Sequence, residues 1–195
     1  MFTTKNDQIW SAVTSRDVLG VRRLLSAGAD PNFISPDSFV RTEMAPENAF
    51  TGKSLLHHAA FVGDFDVFRA IVDAGGDIGR RRTTVWRPNG GVGGRGSTPL
   101  HAAAMYNRPQ ILGYLLDECG ADIDEPGEQG FTALHIAAKF NYPPLVRMLL
   151  QRGARTDMIT KDEKTARDFA GGKDDRSHAD MGDMLRLFDE CVTYF

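Results

Sequence analysis

The stretch at residues 98–124, TPLHAAAMYNRPQILGYLLDECGADID, decides how the rest of the chain is read. It recurs. From Thr132 the chain runs TALHIAAKFNYPPLVRMLLQRGARTD, and from Ser54 it runs SLLHHAAFVGDFDVFRAIVDAGGDIG. From Asp7 it runs DQIWSAVTSRDVLGVRRLLSAGADPN, with Trp10 where the others carry His57, His101 and His135. In all four, the apolar pairs Leu24-Leu25, Ile71-Val72, Leu115-Leu116 and Leu149-Leu150 keep one separation from the small-residue position. Thr132 to Thr165 is 33 residues, and TARDFAGG from Thr165 opens a degenerate fifth unit. A fixed period of this size marks a stacked-repeat architecture.

Each unit reads as two helices. Leu100, Ala103 and Ala104 share one face of a short helix, as do Leu134, Ala137 and Ala138. The small alanines allow close approach to a neighbour. The second helix carries an apolar stripe, Val67, Ala70 and Ile71 in one unit and Ile111, Leu115 and Leu116 in another. Between the helices stand Gly63, Asn107 and Asn141, residues that tolerate a left-handed helix end. Pro109, Pro143 and Pro144 suit the first turn of the helix that follows. A single unit cannot bury its apolar face alone, so stacking supplies the core.

The T/S-x-L-H-x-A-A signature, in register three times, resembles the ankyrin repeat family. The resemblance implies an all-α repeat solenoid of helix-turn-helix units joined by β-hairpin or finger loops. One ankyrin-repeat domain over 1–195 is expected, with units at about 5–32, 52–79, 96–124 and 130–157 and a degenerate C-terminal cap at 163–195. Trp10, one extra residue near Cys119 and two inserted fingers at about 33–51 and 80–95 depart from the pattern. The cap is expected to present Met181, Leu185, Phe188 and Val192 as its apolar stripe, with Asp183, Arg186 and Asp189 off it. Asp7, Gln8 and Arg16 give the first helix the polarity of the opposite cap.

Composition is consistent with this. The chain has 195 residues, 42% hydrophobic and 25% charged, with a net charge of −3. Apolar runs fall short of the roughly 20 residues that span a membrane. MFTTKNDQIW lacks the basic start and apolar stretch of a secretory signal. Two distant cysteines, Cys119 and Cys191, argue against a disulfide framework or a four-cysteine zinc site. A cytoplasmic location, with the nucleus as a second, is the expectation. The near-balanced charge argues against a nucleic acid partner, although Arg80, Arg81, Arg82, Arg87 and Arg95 make one basic loop on a mildly acidic body.

Several motifs mimic chemistry. Gly91, Gly93 and Gly96 fit G-x-G-x-x-G, but a dinucleotide site needs a buried strand before it and an acid on a second strand after it. Asp117 instead ends a helical pattern, and Gly96 stands two before Thr98 as Gly52 does before Ser54 and Gly130 before Thr132. TGKS at Thr51–Ser54 mimics a P-loop, yet Glu47 occupies the place of its first glycine. The three signature histidines are separated by a repeat step of roughly 10 Å, about a helix diameter, too far to share a metal ion. The resemblance implies that they bond backbone in a neighbouring turn. His58 beside His57 is expected on the surface of the first helix. Cys119 in LDECGAD is expected to have a raised pKa. His178 with Asp174, Asp175 and Asp180 reads as a solvated loop. No catalytic, cofactor-binding or metal-binding residues are assigned, and no cofactor is expected.

Ankyrin proteins generally bind other proteins through the hairpin tips and the exposed side of each first helix. Carried over by position, that face comprises Phe61 with Val62, Met105 with Tyr106, and Lys139 with Phe140. At the turns it comprises Phe50, Thr51 and Lys53, then Arg95 and Ser97, then Glu128, Gln129 and Phe131. Aromatic residues and Met at such positions suit a binding hot spot, with Val62 and Phe140 as candidates for packing instead. The first finger is longer than a regular connection by about 14 residues and the second by about 11. Loops of that kind are commonly functional, and the second carries Arg80, Arg81, Arg82, Trp86, Arg87 and Arg95. The expectation is a non-enzymatic scaffold or adaptor, monomeric by itself, whose partner protein engages the second finger through an acidic segment. Its rivals are nucleic-acid or acidic-ligand binding through the arginine-rich finger 80–95, and a nucleotide-dependent enzyme.

Overall fold

The computed structural model describes residues 4–34, 53–81, 96–170, 182 and 184–189. Two compact units emerge, Met1–Ala121 and Asp122–Phe195, described in turn.

The first unit holds three helix pairs: α1 (Lys5–Thr14) with α2 (Val18–Ser26), α3 (Leu55–Val62) with α4 (Phe65–Asp73), and α5 (Pro99–Met105) with α6 (Pro109–Asp117). First helices stack on first helices (α1 on α3, α3 on α5), and second helices form the layer behind them. The alanine pairs explain the close inner layer: Ala59, Ala60, Ala103 and Ala104 are fully buried. Every residue of α5 is buried, as expected of a short helix packed on all sides. In α4 the stripe is Val67, Phe68, Ala70 and Ile71, while Asp66, Arg69 and Asp73 face water. In α6 it is Ile111, Leu112 and Leu115; Leu112 replaces the expected Leu116, which is half-buried.

Left-handed residues end the first helices as expected: Gly63 (φ 80°), Asn107 (φ 51°) and, in the second unit, Asn141 (φ 57°). The first repeat places Arg16 (φ 59°) at this position. Second helices start in two ways. Asp17 accepts from Gly20 N–H at 2.8 Å and Asp64 from Val67 N–H at 3.0 Å, whereas α6 and the corresponding helix of the second unit begin with proline. Either device deals with the donors a helix start leaves unpaired.

Among the described residues the connections form turns, with one isolated bridge between Ile34 and Ser54 and no strand. Asp30, Asp77 and Asp122 each turn the chain after a second helix, accepting the N–H of Asn32, Gly79 and Asp124 respectively. Residues 35–52 and 82–95, most of both expected fingers, lie outside the described residues.

In the second unit α7 (Ala133–Lys139) packs on α8 (Pro143–Gln151) and on α9 (Ala166–Ala170), preceded by a 3-10 turn at Glu128–Gly130. Leu145, Val146, Leu149 and Leu150 are the buried stripe of α8. Residues 184–189 are helical, and the buried row there is Met184, Leu187 and Phe188. Of the expected stripe Phe188 is buried but Leu185 is only half-buried, its place taken by Met184 and Leu187, and Met181 and Val192 lie outside the described residues; Arg186 and Asp189 are exposed as expected, and Asp189 pairs with Arg167. A 3.6-residue period leaves two adjacent solutions in so short a segment, and packing selects between them.

Candidate partner-binding face

Ser54, Thr98 and Thr132 each open a first helix and point their hydroxyl at the histidine three residues on, at 2.8 Å from Nδ1 of His57, His101 and His135. The backbone N–H of Thr98 and of Thr132 also donates to that nitrogen, at 3.2 Å in both. Nδ1 is therefore the acceptor in His101 and His135, and the proton sits on Nε2. His57 Nε2 donates to the Ser97 carbonyl at 2.8 Å, and His135 Nε2 to the Lys164 carbonyl at 3.3 Å. Burial lowers the His135 pKa, opposed by its bonds to the backbone of Lys164 and Met158. These histidines are tied into the fold by hydrogen bonds, and among the described residues no group of three or more acids, His or Cys is arranged to hold a metal ion.

The nucleotide-like segments are also engaged in folding. Gly96 (φ 90°) makes the turn into α5, and Asp117 closes α6; Gly91 and Gly93 lie outside the described residues. Ser54 bonds His57, and Lys53 places Nζ 5.2 Å from the Phe61 ring centre and 5.8 Å from that of Tyr106. Burial raises the Cys119 pKa ahead of the acidic neighbours, which add to it, while a bond to Tyr114 opposes. The cluster around His178 lies outside the described residues.

On the first helices of the first unit the aromatic side chains form a row. Trp10 on α1 stacks on His58 on α3, with centroids 4.2 Å apart and planes 10° apart. His58 in turn lies 6.0 Å from Phe61, and Phe61 meets Tyr106 edge-on at 4.8 Å, just past the end of α5. Phe33 closes on Trp10 at 6.4 Å. Trp10, Phe61 and Tyr106 are each half-buried, so the row offers ring surface to solvent.

The structure corrects where several expected face residues lie. His58 is buried at 2% exposure, because Trp10 covers it and its Nε2 bonds Thr14 Oγ1 at 2.8 Å. Lys53, Ser97, Met105 and Phe131 are buried too, and Val62 is buried as its packing alternative had it. Rings close over two of them: Phe61 and Tyr106 lie near the Lys53 cation, and Phe169 packs on Phe131. Lys53 is the clearest case, 4% exposed with a cation held against two rings. Phe140, placed on the face with packing as its alternative, is 36% exposed and stacks on Tyr142 at 6.1 Å. Lys139 and Glu128 are half-buried, and Gln129 is exposed. Arg80 is half-buried; Arg81 is exposed and bonds the Gly96 carbonyl at 3.2 Å. Phe50, Thr51, Arg82, Trp86, Arg87 and Arg95 lie outside the described residues. Trp10, Phe33 and His58 joined the row unforeseen. Trp10 in place of a signature histidine, one repeat before a ring-flanked His58, was the available signal.

The family model described as ankyrin repeats (3 copies) matches residues 56–162, more than half of the chain. The chain belongs to the ankyrin repeat family. Its helix pairs accordingly form an all-α repeat architecture, and α1 and α2, which precede the matched residues, show the same helix-turn-helix form. Ankyrin repeats are in general protein–protein interaction modules and are typically non-catalytic. Among the described residues no helix is long and apolar enough to cross a membrane.

Proposed function

We propose that this ankyrin protein is a scaffold or adaptor that binds a partner protein across the aromatic row of its first unit. The observation that carries the reading is the continuity of Trp10, Phe61 and Tyr106 over three successive repeats, with Lys53 beneath the last two rings. Half-exposed, mutually braced rings lose little side-chain entropy on docking, which is why Trp and Tyr dominate hot spots. Arg80 and Arg81 follow the same repeat and add positive charge at its turn. The two-cysteine composition favours a reducing compartment. The test is capture from native extract with wild type and with Tyr106→Ala combined with Arg81→Glu. Selective loss of one co-purifying protein supports the reading; an unchanged set of captured proteins overturns it.

A further inference from the structure

The Val62 carbonyl accepts from two arginines that belong to the repeats on either side of it. Arg16, in the turn after α1, donates from Nη2 at 3.1 Å. Arg108, in the turn before α6, donates from Nη2 to the same oxygen at 3.4 Å and to the Phe61 carbonyl at 2.9 Å. The last carbonyls of α3 thus lie between two guanidinium groups. Both arginines are fixed at the backbone. Arg16 has a left-handed φ of 59° and its N–H on the Val13 carbonyl at 3.2 Å; the Arg108 N–H is on the Ala103 carbonyl at 2.8 Å, and Pro109 follows.

The bonds to α3 leave donors over. A guanidinium carries five N–H groups, and these bonds use Nη2 alone, so the Nη1 group of each arginine is left to an outside acceptor. Arg108 Nε is out of solvent contact and bonds no acceptor among the described residues, the mark of a guanidinium short of partners. A helix end presents roughly half a negative charge, against two whole positive ones. The neighbouring acids cap the second helices instead: Asp17 accepts from Gly20 N–H at 2.8 Å and Asp64 from Val67 N–H at 3.0 Å. Among the described residues neither Arg16 nor Arg108 enters an ion pair. Arg16 is exposed and Arg108 half-buried, so the pair can be reached from solvent.

Two guanidinium groups gathered on one oxygen repel each other. A carboxylate spanning them removes that cost and gains charge-assisted bonds. With both backbones pinned, little ordering is spent on binding. The pair is also continuous with the aromatic row: Arg108 bonds the Phe61 carbonyl, and the half-buried Phe61 and Tyr106 rings meet at 4.8 Å. Resting on the protein-binding reading above, we infer that Arg16 and Arg108 receive one carboxylate side chain of the partner, next to the apolar residue that covers the Phe61 and Tyr106 rings.

Acetylated leucyl-glutamate amide is the probe, titrated into the full chain with NMR detection of the Arg16 and Arg108 Nε–H groups and of the Gly63 amide. The expected result is saturable shifts at all three, with Kd rising about tenfold or more in Arg16→Gln and when the glutamate of the peptide is replaced by glutamine. Arg16→Gln leaves both Arg108 bonds in place, and its thermal melt is the folding control. Wild-type affinity in that variant, or undiminished binding of the glutamine peptide, overturns the inference. So does an equal loss in Arg22→Gln, an exposed arginine on α2, which would show diffuse charge attraction. Inorganic phosphate displacing the peptide at matched concentration would overturn it in favour of a small-anion site. Absence of peptide binding, with partner capture still dependent on Tyr106 and Arg81, overturns this inference and leaves the protein-binding reading intact.

Discussion

His58 lies flat against Trp10, ring on ring at 4.2 Å, although the two come from helices in successive repeats. Thr14 ties the pair together. Its hydroxyl bonds the Trp10 carbonyl at 2.9 Å, which takes its one proton, so at the 2.8 Å contact with His58 it must accept from Nε2–H. Protonation of His58 would have to occur at Nδ1, inside the stack and near the Lys53 cation.

Burial, followed by the Lys53 charge, lowers the His58 pKa to about 3. The unfolded chain therefore takes up the proton first, near pH 6.5. The resulting stability is complete above that pH and is lost as pH falls toward 3. At pH 4.5 the loss is up to about 2–3 kcal/mol. Urea melts of wild type and His58→Gln at pH 7 and 4.5 check it, and the variant should show the shallower dependence.

Gly63 gives a second prediction. Its φ of 80° is left-handed, and a Cβ there would come within 2.3 Å of the Arg108 guanidinium. That group bonds the carbonyls of Phe61 at 2.9 Å and Val62 at 3.4 Å, while Arg16 reaches the Val62 carbonyl from the preceding repeat at 3.1 Å. Gly63→Ala should cost about 1–3 kcal/mol. Combined with Arg108→Ala it should cost less than the sum of the two single changes, because the second removes the group the methyl displaces. Strict additivity in a double-mutant cycle would contradict the contact.

Asn32 offers a third. It accepts from Asp77 N–H at 2.7 Å and donates to the Gly75 carbonyl at 3.2 Å, linking the turns of two repeats; Asp124 accepts from Arg155 N–H at 2.9 Å in the same register. Gly79 occupies that register in between without a side chain. Asn32→Ala should lower stability by about 1–2 kcal/mol, and hydrogen exchange should show the Asp77 amide losing protection. A protected amide in the variant would mean that another acceptor serves it.

Leu149 provides the packing test. It is fully buried in α8, and Leu149→Ala should cost about 2–5 kcal/mol in a chemical melt. A loss under about 1 kcal/mol would be inconsistent with a packed site.

The repeat period, the helix pairs and the buried alanines were legible because they depend on local periodicity and on residues that serve one steric purpose. Gly63, Asn107 and Asn141 could be placed at left-handed positions for the same reason. Arg16 could not, since nothing local favours arginine there; its guanidinium finds the Val62 carbonyl only once two repeats stack. The candidate face was less readable. Phe61 and Tyr106, placed on the face by register, are half-buried in the row, but Lys53, Met105 and Phe131 proved buried, Lys53 and Phe131 against neighbouring rings.

By itself the sequence determined the unit and its period, set by local periodicity, while the backbone-bonding role of the signature histidines came from the family resemblance that the period carries. Tertiary structure decided which rings meet. Trp10 with His58, Phe61 with Tyr106, and Lys139 with Lys164 over Phe169 join residues from different helices or turns. Those pairings rest on the few ångströms between packed elements, a distance that no periodicity in the chain encodes.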